Sequence, residues 1–388
     1  MIPRALAPRL QTLAAQYPVV TVTGPRQSGK TTLTRALFAD KPYVNLERPD
    51  VRRFAAEDPL AFLSQHANGA VIDEVQNVPD LLSYLQVEVD ENPAPGRFIL
   101  TGSRMLELAH GVGQSLAGRT ALLKLLPLSV AELAADRALP DADTLIQRGF
   151  LPRIHDQGLD PTQALADYFE TYVQRDLREL VAVRDLRQFE RFVRLCATRT
   201  GQLLNQHSLA ADAGVSPKTV AAWLSVLEAS FIVFLLPPFY ANIGRRLVKS
   251  PKFYFYDVGL AAFLLGIESP VHVAAHPLRG ALFETLVVTE VLKWRFNRGQ
   301  VNNLNFYRDS NGNEVDIVWQ QDDGWRALEV KAGQTLYQEA FKTLSAFAQL
   351  QPNTRAGLVY GGNEVQHRGT ADAVPWNRVV QWLEEPER

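Results

Sequence analysis

Residues 19–38 constrain the fold more than any other stretch. Val19-Val20-Thr21-Val22 is a short apolar run of β-branched residues, the composition of a buried strand. It leads into Gly24-Pro25-Arg26-Gln27-Ser28-Gly29-Lys30-Thr31, which has the glycine, lysine and hydroxyl spacing of a phosphate-binding loop. Thr32 to Phe38 then reads as a helix. Gly24 and Gly29 let the backbone curl so that its N–H groups converge, and the following helix start adds partial positive charge. In this pattern the backbone of Gly24 to Thr32 cradles phosphates, Lys30 neutralises the β- and γ-phosphates, and the Thr31 hydroxyl holds Mg²⁺. ATP with Mg²⁺ is therefore the expected ligand.

Two more apolar runs end in polar groups. Ala70-Val71-Ile72 is followed by Asp73 and Glu74. Acids at the C-terminal end of a parallel strand lie on the ligand-binding edge of such a sheet. Asp73 is expected to hold Mg²⁺ and Glu74 to polarise the attacking water. Phe98-Ile99-Leu100 leads into Thr101-Gly102-Ser103. Ser103, ahead of Thr101, is the candidate for orienting that water or sensing the γ-phosphate. Arg104 and Arg119 lie beyond this strand, and Arg119 is the candidate for neutralising charge in the transition state. The expected fold class is α/β, with a parallel sheet in the first part of the chain.

The chain has 388 residues, enough for two or three domains at about 150 each. Apolar residues make up 46% and charged residues 21%, the balance of a globular protein rather than a disordered one. No apolar run approaches the roughly 18 residues of a membrane span, and the first residues do not read as a secretion signal. A single cysteine, Cys196, excludes an internal disulfide framework. A cytoplasmic protein without membrane contact is expected. The net charge of −2 means that nucleic acid would have to be met by local patches.

Breaks in the apolar periodicity predict three segments, 1–156, 157–270 and 271–388. The middle one has a helix-turn-helix pattern. Ser208 is expected to cap a helix through Ala213, Gly214 to make the turn, and Ser216 with Pro217 to open a second helix. Phe231–Leu236 and Lys252–Tyr256 are expected as the two strands of a wing. Between them Arg245, Arg246 and Lys249, with Lys252, read as a basic loop suited to DNA phosphates.

In the last segment Glu314–Gln320 and Trp325–Lys331 alternate as strands do, around a turn at Gln321-Asp322-Asp323-Gly324. Gln320 then faces Trp325 and Asp316 faces Glu329, with Lys331 on the same face. Glu284 sits inside an apolar helical stretch, Ala281–Trp294, where an acid needs a partner. Glu284, Asp316, Glu329 and Lys331 converging on one face suit divalent-metal phosphodiester hydrolysis, with a second Mg²⁺ or Mn²⁺. A salt-bridged remnant without activity fits the same residues.

Together these segments resemble a bacterial family of AAA-type ATPases with a C-terminal domain of unknown function. The resemblance covers nearly the whole chain. It is carried by the Gly24–Thr32 loop, Ile72-Asp73-Glu74, Leu100-Thr101-Gly102-Ser103 and Leu116-Ala117-Gly118-Arg119. Tyr168–Leu177 and Lys252-Phe253-Tyr254-Phe255-Tyr256-Asp257 resemble the opening and the central signature of its later region. The resemblance implies a P-loop ATPase, a winged helix and an end similar to the PD-(D/E)xK nuclease fold. Glu284 would match the helix acid of that fold, Asp316 its strand acid and Glu329-Val330-Lys331 its ExK tripeptide. Val315 stands where the motif has proline. Three readings stay open: an ATP-dependent enzyme acting on DNA, a nucleotide-gated binding or regulatory module with an inactive nuclease fold, and a ring-forming motor. DNA and further copies of the chain are the candidate macromolecular partners.

Overall fold

The computed structural model describes residues 2–103, 116–176, 186–239, 250–309, 312–369 and 371–385. Arg104, Arg245, Arg246 and Lys249 lie outside them. Fourteen strands, β1 to β14, form three sheets among these residues.

The first sheet comprises β1 (Val19–Thr23), β2 (Tyr43–Asn45), β3 (Ala70–Asp73), β4 (Phe98–Gly102) and β5 (Thr120–Lys124), in the order β2-β3-β4-β1-β5. Every neighbouring pair is parallel. A parallel sheet is covered on both faces, so its inner strands β1, β3 and β4 are buried at every position. The packing follows the pleat. Val19, Ile72, Phe98 and Leu100 enter one core cluster, and Val20, Val22, Val71 and Ile99 enter the cluster on the other face. The sheet is the α/β element predicted from the first motif.

The second sheet is small and antiparallel: β6 (Gln202–Leu203), β7 (Val233–Leu236) and β8 (Lys252–Phe255), in the order β6-β8-β7. Helices Gln206–Ala213 and Pro217–Ala229 precede β7, with Gly214 at φ +72° between them. Ser216 caps the second helix as expected. The first is capped by Asn205, which accepts from the Ser208 amide, so Ser208 is inside the helix instead of at its cap.

The third sheet is mixed. It contains β9 (Asn305–Arg308), β10 (Glu314–Gln321), β11 (Gly324–Lys331), β12 (Thr354–Tyr360), β13 (Gln366–Arg368) and β14 (Ala371–Pro375), in the order β13-β14-β12-β11-β10-β9. β10 pairs antiparallel with β11 in the expected register, Gln320 opposite Trp325. Gln321 and Gly324 also pair, so the turn is the two residues Asp322 and Asp323, with Asp322 at φ +52°. The helix around Glu284 runs Arg279–Asn297 and is longer than the apolar stretch suggested.

One hydrophobic cluster runs from Ile2 and Leu128 through Phe189, Trp223 and Tyr254 to Leu286, Trp319 and Trp382. It joins the second and third sheets to the segment that follows the first sheet, from Leu126 to Val130, while the strands of the first sheet pack in two clusters of their own. A buried carboxylate reinforces the join: Glu290 accepts from the Val130 amide at 2.7 Å and pairs with Lys293 at 2.8 Å. No helix of the described residues is long and apolar enough to cross a membrane.

Candidate functional sites

The loop after β1 has the geometry that its glycines allow. Gly24 has φ +154°, and a Cβ there would lie 2.0 Å from the Leu125 carbonyl oxygen, so the position tolerates no side chain. Gly29 has φ +92° at the start of helix Lys30–Leu37, whose first amides lack intrahelical partners. The Lys30 ammonium is buried and donates to the carbonyls of Gly24 at 3.0 Å and Pro25 at 2.8 Å. Burial lowers its pKa, against the opposing charges of Glu74 and Asp73. The Ser28 hydroxyl is buried without a hydrogen-bond partner.

The ends of β3 and β4 meet this loop. Asp73 Oδ2 accepts from the Thr31 hydroxyl at 2.9 Å and from the Tyr43 hydroxyl at 2.6 Å, and Oδ1 accepts from Thr101. Glu74 has φ +56°, a left-handed conformation costing a non-glycine residue about 1–3 kcal/mol. It is held there by its amide donating to Thr101 Oγ1 at 3.2 Å, and by Ser103 and Gln76 donating to its carboxylate, Ser103 at 2.8 Å. Lys30, Thr31, Asp73, Glu74 and Ser103 are thus brought together.

A cavity of about 710 Å³ opens beside them. Arg26, Gln27, Gly29, Lys30, Thr31 and Thr32 form its polar side, with Glu74. Ile2, Pro3, Leu33, Leu128 and Pro152 supply apolar lining. Arg4 ties the beginning of the chain to the loop, donating to the Ser28 carbonyl at 2.5 Å and the Leu126 carbonyl at 2.7 Å, and pairing with Glu132 at 3.1 Å. An anion cradle with an apolar recess is the shape that a nucleotide requires, and a phosphate would give buried Lys30 a direct anionic partner in place of its two carbonyls. The residues present fit ATP with Mg²⁺.

Arg119 is elsewhere. Its carbonyl accepts from the Val19 amide, which puts it at the start of β1, about 13 Å of strand away from the loop. Its guanidinium pairs with Asp90. Within one chain it does not reach this site, because adjacent parallel strands bring their starts together at the opposite edge from their ends.

A second constellation lies between the last two sheets. Lys252 begins β8, and its side chain is 3% exposed. Its ammonium meets Glu314 Oε1 at 2.5 Å, Glu284 Oε1 at 2.9 Å and Asp316 Oδ1 at 3.0 Å. Burial disfavours its charge, but the carboxylates of Asp316, Glu284 and Glu314 with the Tyr254 hydroxyl outweigh this and raise its pKa. Asp316 Oδ2 accepts from the Val330 amide at 2.9 Å, and the Tyr254 hydroxyl donates to Glu284 at 2.5 Å. Glu329 pairs with Lys331 at 2.6 Å, and its other oxygen is buried without a partner. Burial and repulsion from Asp316 push the Glu284 and Glu329 pKa values upward.

This corrects two expectations. Lys252 is not a phosphate-facing cation of an exposed loop, because three carboxylates draw it inward. Glu284 and Asp316 do converge, but on a lysine; no group of three or more acidic, histidine or cysteine side chains among the described residues is arranged to hold a metal. The donor set does not fit a divalent ion as folded. Glu314 was missed although it lies two residues before Asp316, on the same strand face. Tyr43 and Arg4 carried no signal, since their partners are remote in the chain.

Residues 16–134 match the family described as AAA domain, so the first part of the chain is an AAA-type P-loop domain, for which nucleotide binding is the expectation. Residues 139–271 and 279–379 match two families described as domains of unknown function, DUF8612 and DUF4143. The uncharacterised proteins Rv2008c of Mycobacterium tuberculosis and Mb2031c of Mycobacterium bovis are each 33% identical over 386 residues, 97% of this chain and 84% of theirs. Among solved structures, the Walker-type ATPase PABY2304 of Pyrococcus abyssi is similar at 16% identity and a TM-score of 0.45, over 68% of this chain and 96% of that one.

Proposed function

The chain belongs to the family of these two mycobacterial proteins, and we propose that it binds and hydrolyses ATP beside Lys30 and uses the nucleotide state to control its two C-terminal modules, 157–270 and 271–388. The observation that carries this reading is the meeting of buried Lys30 with the Thr31–Asp73 and Ser103–Glu74 hydrogen bonds at one sheet edge. The amides of the Gly24–Thr32 loop other than Pro25 hold the phosphate oxygens, and Lys30 turns from its loop carbonyls to neutralise the β/γ charge. Thr31 and Asp73 are the donors for Mg²⁺, which when bound would offset phosphate charge. Glu74 orients and polarises water, and Ser103 fixes the Glu74 carboxylate. Any role of Arg119 is on the nucleotide of another copy, which makes a homo-oligomer part of the reading.

Coupling to the remainder of the chain runs through Arg26. Its guanidinium lies over the Tyr172 ring at 5.3 Å, and the Tyr172 hydroxyl donates to the Ser230 carbonyl at 3.1 Å, just after helix Pro217–Ala229. A phosphate that draws Arg26 therefore loads the helix-turn-helix segment, which we read as a winged helix that contacts DNA. Lys252 filling the carboxylate cluster favours a binding or regulatory role for the nuclease-like end over a cutting one. The test is ATP turnover by purified full-length chain. Lys30→Ala is expected to abolish it, and normal turnover by folded Lys30→Ala protein would overturn the assignment.

A further inference from the structure

We infer that Lys252 is the resident cation of the Glu284–Glu314–Asp316 cluster, standing where a divalent ion would stand, and that the cluster is a latent metal site which only the loss of Lys252 opens. An ammonium has three protons to donate, and here three carboxylate oxygens lie within 3.0 Å of one nitrogen. Its hydrogen-bonding capacity is full. Those oxygens come from two elements, helix Arg279–Asn297 and β10, while the lysine comes from a third, β8. The lysine therefore closes a gap between two sheets as well as balancing charge.

A divalent ion needs about six oxygen ligands at close range. While Lys252 is in place, each of the three acids has an oxygen committed to the ammonium, and Asp316 has its second committed to the Val330 amide. A second cation at the same spot would also meet the ammonium charge directly. Without Lys252 the cluster offers freed oxygens from three acids, and Glu329 adds the buried oxygen that has no partner now. In the folded chain, then, phosphodiester hydrolysis by metal at this cluster is blocked by the lysine, whatever happens at Lys30.

Mn²⁺ uptake by the full-length chain without nucleotide, followed by electron paramagnetic resonance, tests this independently of ATP hydrolysis. Wild type and Asp316→Asn are expected to take up the same amount. Lys252→Met is expected to gain one further equivalent, and Lys252→Met/Asp316→Asn to lose it. An equivalent in wild type that disappears with Asp316→Asn overturns the inference, and so does a folded Lys252→Met protein that gains none. Should Lys252→Met not fold, the comparison of wild type with Asp316→Asn decides: equal uptake supports the inference and unequal uptake overturns it.

Discussion

Replacing Lys252 with methionine keeps most of the aliphatic stem and deletes the charge, so the change isolates the ion cluster from its packing. Removing one partner from a buried ion pair costs about 3–5 kcal/mol, because the remaining charge is left uncompensated. Three contacts soften the loss here. Glu314 retains Arg308 at 3.2 Å, Asp316 retains the Val330 amide, and Glu284 retains the Tyr254 hydroxyl. The expected loss at pH 8 is therefore near the low end, about 3 kcal/mol. It also depends on pH. Glu284 is already pushed up from 4.5 to about 7 by burial and by Asp316. An acid whose folded pKa exceeds its unfolded value stabilises fully below the unfolded value and loses that contribution as pH rises through the folded one. Without the ammonium Glu284 rises further, so the variant recovers stability between pH 8 and pH 5 relative to wild type. Urea unfolding at both pH values reads this out. A loss under about 1 kcal/mol at pH 8, or the same loss at both pH values, refutes the reasoning.

Two further outcomes follow from the other contacts. Ser103→Ala removes a donor from the Glu74 carboxylate at 2.8 Å; steady-state kinetics should show ATP turnover falling by about tenfold or more with nucleotide affinity little changed, and unchanged turnover would count against the role of Ser103. His155 is buried and its Nε2 lies 2.8 Å from the Gly149 carbonyl; burial lowers its pKa below 6.5. A base with a depressed folded pKa contributes stability above its unfolded pKa and loses it as pH falls, so thermal stability should drop below pH 6.5 and His155→Gln should lessen that drop.

The legible parts of the molecule are those set by local rules. The glycine loop requires backbone curvature that few other sequences permit, and its strand and helix flanks follow from apolar periodicity. The β10–β11 register followed because a tight turn makes paired positions sum to a constant, which puts Asp316 and Glu329 on one face. The same alternation would have added Glu314. What escaped is long-range. Nothing near Lys252 in the chain shows that it faces acids 32, 62 and 64 positions later. The distance of Arg119 from the loop was not legible, because closeness to a strand does not say which end of the strand is near. Tyr43 and Thr101 converge on Asp73 from two other strands, an outcome of sheet order, which spacing alone does not reveal.

The central claim is that the cavity beside Lys30 takes up ATP. Isothermal titration calorimetry of the full-length chain with Mg²⁺ and ATP measures this directly. The account predicts saturable uptake by the wild type, with a large loss of affinity in Lys30→Ala. No uptake by well-folded wild type, or equal uptake by both proteins, would contradict it.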